Sequence, residues 1–309
     1  MKILDFENLR IPLEDWIQSG IDWLVYNYRE VFQMVKVPLQ ALLEAFVWGL
    51  TVLPPLLIIV LFTLFAWRAA GKRVATFTMA SLLVCGFLGM WEDTMITLAM
   101  VLSSVLICAI IGIPLGIMAG RSDRFEMTLR PFLDVMQTTP PFVYLVPVVM
   151  LFSIGTVSGI IATIVFALPP IVRLTSLGIR HVDVELIEAA QAFGSTPSQV
   201  LRRVQLPLAM PSIMAGLNQT IMMALSMVVI AALIGAGGLG EPVVQGLNTL
   251  DIGLAAVGGI CIVMMAMVLD RVTRVSHIHQ KISKRRNNYE TIATWFNYGG
   301  HGAATGHGK

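Results

Sequence analysis

The sequence predicts an all-α protein that crosses a membrane several times, and three observations support this. Of its 309 residues, 56% are hydrophobic and only 13% are charged, whereas a soluble domain carries about a quarter charged residues. The apolar residues form runs of about 18 to 24, and a helix needs about 20 to cross roughly 30 Å of hydrocarbon. Short polar segments separate the runs. This is the pattern of a polytopic helical membrane protein.

Continuous apolarity predicts about seven transmembrane helices. They cover about residues 46–67, 74–91, 95–118, 132–152, 157–177, 212–234 and 252–269. The fourth contains the sequence TTPP at 138–141, and the fifth contains Pro169 and Pro170. Prolines are tolerated in such helices where neighbours or water satisfy the freed carbonyls. Both sites are therefore expected to face the bundle interior, although kinks that serve only packing remain an alternative.

The positions of Lys and Arg predict the orientation, because cytoplasmic loops carry the excess of positive charge. If the polar segment around residues 183–207 is cytoplasmic, 17 of the 21 Lys and Arg residues lie on that side. The short outer loops are then acidic. An odd number of spans places the N-terminus outside and the C-terminus in the cytoplasm.

The chain divides into four predicted regions. Residues 1–45 form a periplasmic or interfacial segment, because the apolar positions between Trp16 and Val35 follow a helical stripe typical of an amphipathic helix. Residues 46–91 form two accessory transmembrane helices and residues 92–270 form the core. Residues 271–309 form a basic cytoplasmic tail that is expected to be disordered.

The polar segment between the fifth and sixth spans, EAAQAFGSTPSQVLRRVQLP at 188–207, predicts a helical hairpin. Asp183 can cap a first helix over about 184–193, and Gly194 suits the left-handed conformation at a helix end. Thr196 can cap a second helix with Gln199 as its capping-box partner. That helix is expected to end near residue 205, before Leu206–Pro207. Such a hairpin is either a lever between two spans or a self-contained cytoplasmic loop.

The spacing of this segment resembles a family motif. Glu188-Ala189-Ala190, three residues, Gly194, nine residues, Val204, one residue and Leu206-Pro207 are similar to the EAA motif of permease subunits of binding-protein-dependent ABC importers. The family usually has Ile where this chain has Val204. Four further segments resemble the quaternary-amine branch, which takes up glycine betaine, proline betaine or choline. They are IPLEDWIQSGIDWL (11–24), TTPPFVYLVP (138–147), ALPPIVRLT (167–175) and IGAGGLGEPV (234–243).

The resemblance implies a type I ABC importer fold, similar to that of the methionine-importer permeases. It implies two permease copies, two cytoplasmic ATPase subunits that receive the hairpin, and a periplasmic binding protein. The ATPase-coupling residues carried over by the motif are Glu188, Ala189, Ala190, Gly194, Leu206 and Pro207. It implies no cofactor in this chain, with ATP and Mg²⁺ on the partner ATPase. The chain itself has no GxxxxGK[ST] motif for binding ATP.

Several other residues are candidates for the transport pathway or its gate. Pro140, Pro141, Phe142 and Tyr144 lie in the proline-interrupted span, where aromatic faces could contact a quaternary ammonium cation; core packing is the alternative. Asn218 is polar in the middle of the sixth span, where it could line water or join helices by hydrogen bonds. The glycines after that span form an outer gate or a site of close packing: Gly235, Gly237 and Gly238.

A function from another class and a different cargo within the importer class are the two alternatives to a quaternary-amine permease. A stand-alone channel or an ion-coupled carrier would need no partner, but coupled carriers usually bury carboxylates in the middle of a span. Here the acids lie at the predicted span ends, at residues such as Glu92, Asp93, Glu241 and Asp270. A related small amine as cargo, choline among them, is the other alternative. No nucleic-acid partner or metal site is expected.

Overall fold

The structure, a computed structural model, describes residues 12–273, except for the side chain of Glu14, and contains helices but no strands in that range. The helices are α1 (Leu13–Thr51), α2 (Pro55–Ala70), α3 (Lys72–Phe87), α4 (Trp91–Arg121), α5 (Asp123–Thr138), α6 (Pro141–Phe152), α7 (Thr156–Arg180), α8 (Val184–Ala192), α9 (Pro197–Val200), α10 (Leu206–Ala231), α11 (Gly240–Thr249) and α12 (Ile252–Thr273). A π-helical turn joins α9 to α10, and a 3-10 turn follows α10.

Five helical segments within residues 12–273 are long and apolar enough to cross a membrane: α1, α4, α7, the continuous stretch from α9 through α10, and α12. A sixth would be the pair α5 and α6, here called the broken span, which is bent by 100° at its break. Helices α2 and α3 have 16 residues each, or about 24 Å at 1.5 Å per residue, which is less than the hydrocarbon thickness. The predicted helical membrane fold is thus confirmed, whereas the count of seven is not.

The first predicted span, residues 46–67, is wrong as a single helix. Helix α1 continues through residue 51, and the chain breaks at 52–54 before α2 begins at Pro55. Proline disfavours the helical conformation of the residue before it, so Pro54 and Pro55 together separate two helices within one apolar run. The predicted boundary at residues 45 and 46 falls inside α1. Apolarity alone could not locate this break.

The predicted span at 132–152 is also not one straight helix. Thr139 and Pro140 have extended backbone conformations, with ψ of 129° and 140°, between α5 and α6. Helix α5 begins with a cap, in which the amide of Phe125 donates to the Ser122 hydroxyl. The TTPP sequence therefore produces a bend of 100° between two short helices rather than a kink within one span.

Glycines on α4 allow α7 to approach its backbone. Gly112, Gly116 and Gly120 are spaced four residues apart and share one helix face. A Cβ atom on Gly116 would lie 2.5 Å from the Cβ of Thr175, and one on Gly120 would lie 2.8 Å from the Cβ of Ile179. Small residues at such spacing are typical of close helix pairs in membranes, where association depends on tight packing.

The opposite side of α7 contacts α10 in the same manner. A Cβ atom on Gly178 would lie 2.8 Å from the Cβ of Ser212, and one on Gly216 would lie 3.1 Å from the Cα of Ile171. Fully buried residues such as Ile171 and Val228 complete the core between these helices. Helices α4, α7 and α10 therefore form one closely packed block at the centre of the protein.

We predict that Gly116→Ala destabilises the folded protein by about 1–3 kcal/mol, because the added methyl group overpacks the α4–α7 contact. The measurement is the thermal unfolding midpoint in detergent. Gly259→Ala is the matched control, because a Cβ atom there meets nothing within 4 Å, and the change should be neutral or slightly stabilising. Equal midpoints for the two variants would contradict the close approach of these helices.

Candidate functional site: the helical hairpin and the broken span

The turn between α8 and α9 is built around Gly194. The residue has φ of 80°, a conformation that costs other residues about 1–2 kcal/mol. The amide of Ser195 donates to the Ala190 carbonyl at 3.1 Å, and the amide of Gly194 donates to the Gln191 carbonyl at 2.8 Å. This pair of bonds is the Schellman motif, which satisfies the last carbonyls of a helix. The predicted end of the first hairpin helix is confirmed.

The second leg of the hairpin begins with the predicted capping box. The amide of Gln199 donates to the Thr196 hydroxyl at 3.4 Å, and the Gln199 side chain accepts from the Thr196 amide at 2.8 Å. Pro197 occupies the first helical position. The predicted side-chain cap by Asp183 on α8 is wrong, because Asp183 makes no such hydrogen bond.

The predicted end of the second leg before Leu206–Pro207 is also wrong. The chain stays helical from Pro197 to Ile234, and Gln205 and Leu206 keep right-handed helical angles. Residues 201–205 form a π-helical turn, in which the amide of Leu206 donates to the Leu201 carbonyl. Proline lacks an amide and crowds the carbonyl four residues before it. The wider π turn just before Pro207 gives that carbonyl room, so the helix continues.

The hairpin presents an uncovered surface. No residue of α8 is buried, and Glu188 and Ala189 are exposed whereas Ala190 is partly buried. Phe193, at the tip, is 92% exposed, and Val184 is 64% exposed. Of the later motif residues, Leu206 is partly buried and Pro207 is exposed. A helix with no buried residues gains little stability from packing within the chain. An exposed helix of this kind is typical of a surface that a partner covers.

Both legs of the hairpin lead directly into the central block. Three residues, 181–183, connect α7 to α8, and Val182 among them is 6% exposed. The other leg is continuous with α10, and Val200 near its start is 3% exposed. A displacement of the hairpin therefore acts on α7 and α10 without a flexible linker between them.

The predicted pathway residues of the broken span are placed together at its bend. Pro140 lies in the bend and Pro141 begins α6, and Phe142 is 57% exposed. The Tyr144 hydroxyl donates back to the carbonyls of Val135 and Met136 in α5. Phe142 is thus available to a ligand or a neighbour, whereas Tyr144 stabilises the bend.

Comparison with known proteins identifies the family. Residues 112–281 match the model for the inner membrane component of binding-protein-dependent transport systems. The chain belongs to this family. It is a multi-pass inner-membrane permease subunit of an ABC importer, and it depends on an ATPase and a substrate-binding protein. It is not an enzyme in its own right.

Several relatives match nearly the whole chain. The glycine betaine/proline betaine transport system permease protein ProW of Escherichia coli is 51% identical over 94% of this chain and 82% of its own length. The glycine betaine transport system permease protein OpuAB of Bacillus subtilis is 43% identical over 88% of this chain and 96% of its own length. A solved structure of the MetNI methionine ABC transporter, in an inward-facing conformation, matches with a TM-score of 0.53 and 25% identity, and covers 60% of this chain and 95% of that chain.

Asn218 of this permease joins two helices. Its side-chain amide donates to Asp270 of α12 at 3.5 Å, and its carbonyl oxygen accepts from the hydroxyl of Thr273 at 2.5 Å. Interhelical hydrogen bonding, one of the two expected roles, therefore accounts for this residue. These bonds tie α12 to the middle of α10.

The glycines after α10 form a loop that is packed against α4. Gly235 is exposed, Gly237 is partly buried and Gly238 is buried. All three have positive φ, and a Cβ atom on Gly238 would lie 2.5 Å from the hydroxyl of Thr97. That hydroxyl also accepts from the amide of Leu239 at 2.8 Å. Close packing therefore accounts for Gly238, whereas the gate role of Gly235 and Gly237 stays a prediction.

The sequence prediction missed a set of ion pairs on the hairpin side of the protein. Arg173 and Arg180 of α7 contact acidic residues of α5, including Asp134 and Asp123. In the sequence, Arg173 and Arg180 contribute only to the count of basic residues that predicts the orientation. A regular charge pattern could have indicated them, since α5 carries charged residues at 123, 126, 130 and 134, at spacings that keep them on one helix face.

We predict that Thr97→Val lowers the free energy required to open the 235–240 loop by about 1–3 kcal/mol, because the buried amide of Leu239 loses its acceptor. Hydrogen exchange of the Leu239 amide, followed by mass spectrometry, measures the change. Thr163→Val is the matched control, because the Thr163 hydroxyl donates only to the carbonyl of Gly159 in its own helix. Unchanged exchange in Thr97→Val would mean that the loop is not held by this bond.

Proposed function

We propose that this permease translocates glycine betaine or a related quaternary amine into the cytoplasm, with a second copy of the chain completing the pathway. The main support for this cargo is the 43–51% identity to glycine betaine and proline betaine permeases over most of the chain. The four segments that resemble the quaternary-amine branch support the same cargo. Choline is the alternative within the same class.

The proposed mechanism assigns the hairpin to the ATPase. The surface that the ATPase binds is formed by Glu188, Ala189, Ala190 and Gly194. The second leg of the hairpin enters α10 at Leu206 and Pro207. Closure of two ATPase subunits on ATP moves the hairpins, and the spans joined to them tilt between two packed arrangements. The N-terminus is outside in this scheme and the C-terminus is cytoplasmic. The basic tail beyond residue 273 lies outside the described residues.

Uptake of labelled glycine betaine into proteoliposomes tests the function. The permease is reconstituted with its partner ATPase, the binding protein is added outside, and ATP is enclosed inside. We expect concentrative uptake only when ATP and the binding protein are both present, because this chain has no energy source of its own. Competition with unlabelled choline ranks the cargo. Flux that persists without either component would identify a channel instead.

Replacement of Gly194 tests the role of the hairpin. We predict that Gly194→Val lowers ATP-dependent uptake at least tenfold, because the left-handed turn becomes strained by more than about 1–2 kcal/mol and α8 is displaced. The amount of folded permease in the membrane should not change, since a Cβ atom on Gly194 meets nothing within 4 Å. Gly20→Val is the control, being the same change at another open position. Wild-type uptake by Gly194→Val would remove the coupling role.

A further inference from the structure

Helix α5 is held to the protein differently from the central helices. Only Leu133 of its 16 residues is buried, whereas α4, α7 and α10 each bury ten or more. Its described polar links to α7 are ion pairs along one side. Ion pairs of exposed residues can separate and re-form at little cost, unlike close packing of buried backbones.

Arg180 is the principal connection. Its guanidinium donates to the Asp123 carboxylate at 2.5 Å, contacts the Glu126 carboxylate at 2.7 Å, and donates to the carbonyl of Ala119 at 2.8 Å. One side chain thereby joins the last turns of α7 and α4 to the first turn of α5. The forked guanidinium can hold all three oxygens at once, which an ammonium group cannot do in the same geometry.

The connection continues along α5 to α6. Arg173, seven residues before Arg180 on α7, pairs with Asp134 near the other end of α5. The two ion-paired ends frame a cavity of about 320 Å³ between α5 and α7. Beyond Asp134, the Tyr144 hydroxyl bonds to the end of α5 and so links it to α6. A continuous series of contacts thus runs from α7 to the bend that carries Pro140 and Phe142.

Arg180 lies next to the hairpin, at the start of this series of contacts. Arg180 is the last residue of α7, and α8 begins only four residues later, at Val184. Any movement of the hairpin displaces Arg180 together with the end of α7. The acidic residues of α5 then either follow Arg180 or lose their pairs.

We propose that Arg180 is a positioning residue that carries the movement of the hairpin into α5 and hence to the bend between α5 and α6. This inference rests on the proposed coupling function of the hairpin. In this scheme the movement of the hairpin reaches α10 through close packing, and it reaches α5 through the ion pairs of Arg180 with Asp123 and Glu126. Loss of these pairs leaves ATP hydrolysis running while the pathway opens less often.

The test is the ratio of glycine betaine taken up to ATP hydrolysed in proteoliposomes of the complete complex. Arg180→Gln should lower the ratio by about fivefold, the scale that ion pairs of this exposure support, with ATP hydrolysis within about twofold of the wild type. Asp123→Asn combined with Glu126→Gln should lower the ratio similarly. All three changes together should lower it no further, because they remove the same interaction. Arg180→Lys should give an intermediate ratio.

Arg124→Gln is the matched control, since Arg124 is an exposed arginine of α5 for which no ion pair is found among residues 12–273, and its ratio should equal that of the wild type. If Arg180→Gln fails to assemble with the ATPase, the Asp123/Glu126 variant decides, because those side chains are 81% and 41% exposed. Wild-type ratios in the assembled variants would overturn the inference and leave the importer function intact. Absence of ATP-dependent uptake in the wild type would instead refute the proposed function.

Discussion

The close contact of α7 with α4 and α10 is the constraint on which the rest of the structure depends. In a membrane the hydrophobic effect does not draw apolar helices together, so their association depends on packing and hydrogen bonds. A Cβ atom on Gly116, Gly120 or Gly178 would lie 2.5–2.8 Å from an atom of the neighbouring helix, so a larger residue at these positions would push the backbones apart. The glycines therefore determine which three helices pack as one block.

Because of this close packing, the hairpin can transmit a displacement to the spans. A solvent-exposed helix such as α8 could not transmit a displacement if it were joined to the spans by a flexible linker. Here one leg follows α7 after three residues and the other is helically continuous with α10. Helix α5, by contrast, buries little and is joined to α7 by Arg173 and Arg180. Two kinds of contact, one rigid and one able to re-form, thus meet at the end of the block nearest the hairpin.

Much of this arrangement was predictable from the sequence, because the controlling signals are local. The Schellman turn at Gly194 and the capping box from Thr196 to Gln199 depend on residues within six positions of one another, and the structure has both. The membrane-spanning character of α4, α7, α10 and α12 follows from apolar length alone. The importer family was recognisable from the spacing that begins at Glu188.

Other features depended on information that a single apolar run does not contain. The break between α1 and α2 and the bend at Thr139–Pro140 interrupt stretches whose hydropathy is continuous, so only the prolines marked them. The π turn before Pro207 is a response of the helix to a proline that sequence reasoning treated as an end. The charge pattern of α5 indicates a face that forms ion pairs, but its pairing with Arg180 could not be predicted, because residues 57 positions apart meet only in the folded protein.

The central claim, that the hairpin and α10 form one rigid body, is tested most directly by a distance within one chain. Spin labels are attached at Phe193 and Leu233, both exposed, after Cys85, Cys108 and Cys261 are replaced by Ala. Labelled chains are diluted with unlabelled ones, and the complex with its ATPase is measured by pulsed electron resonance with and without ATP. We predict a distance unchanged to within about 1.5 Å, one helical residue. A shift of about 5 Å, one helical turn, would show that the hairpin moves independently and would contradict the account.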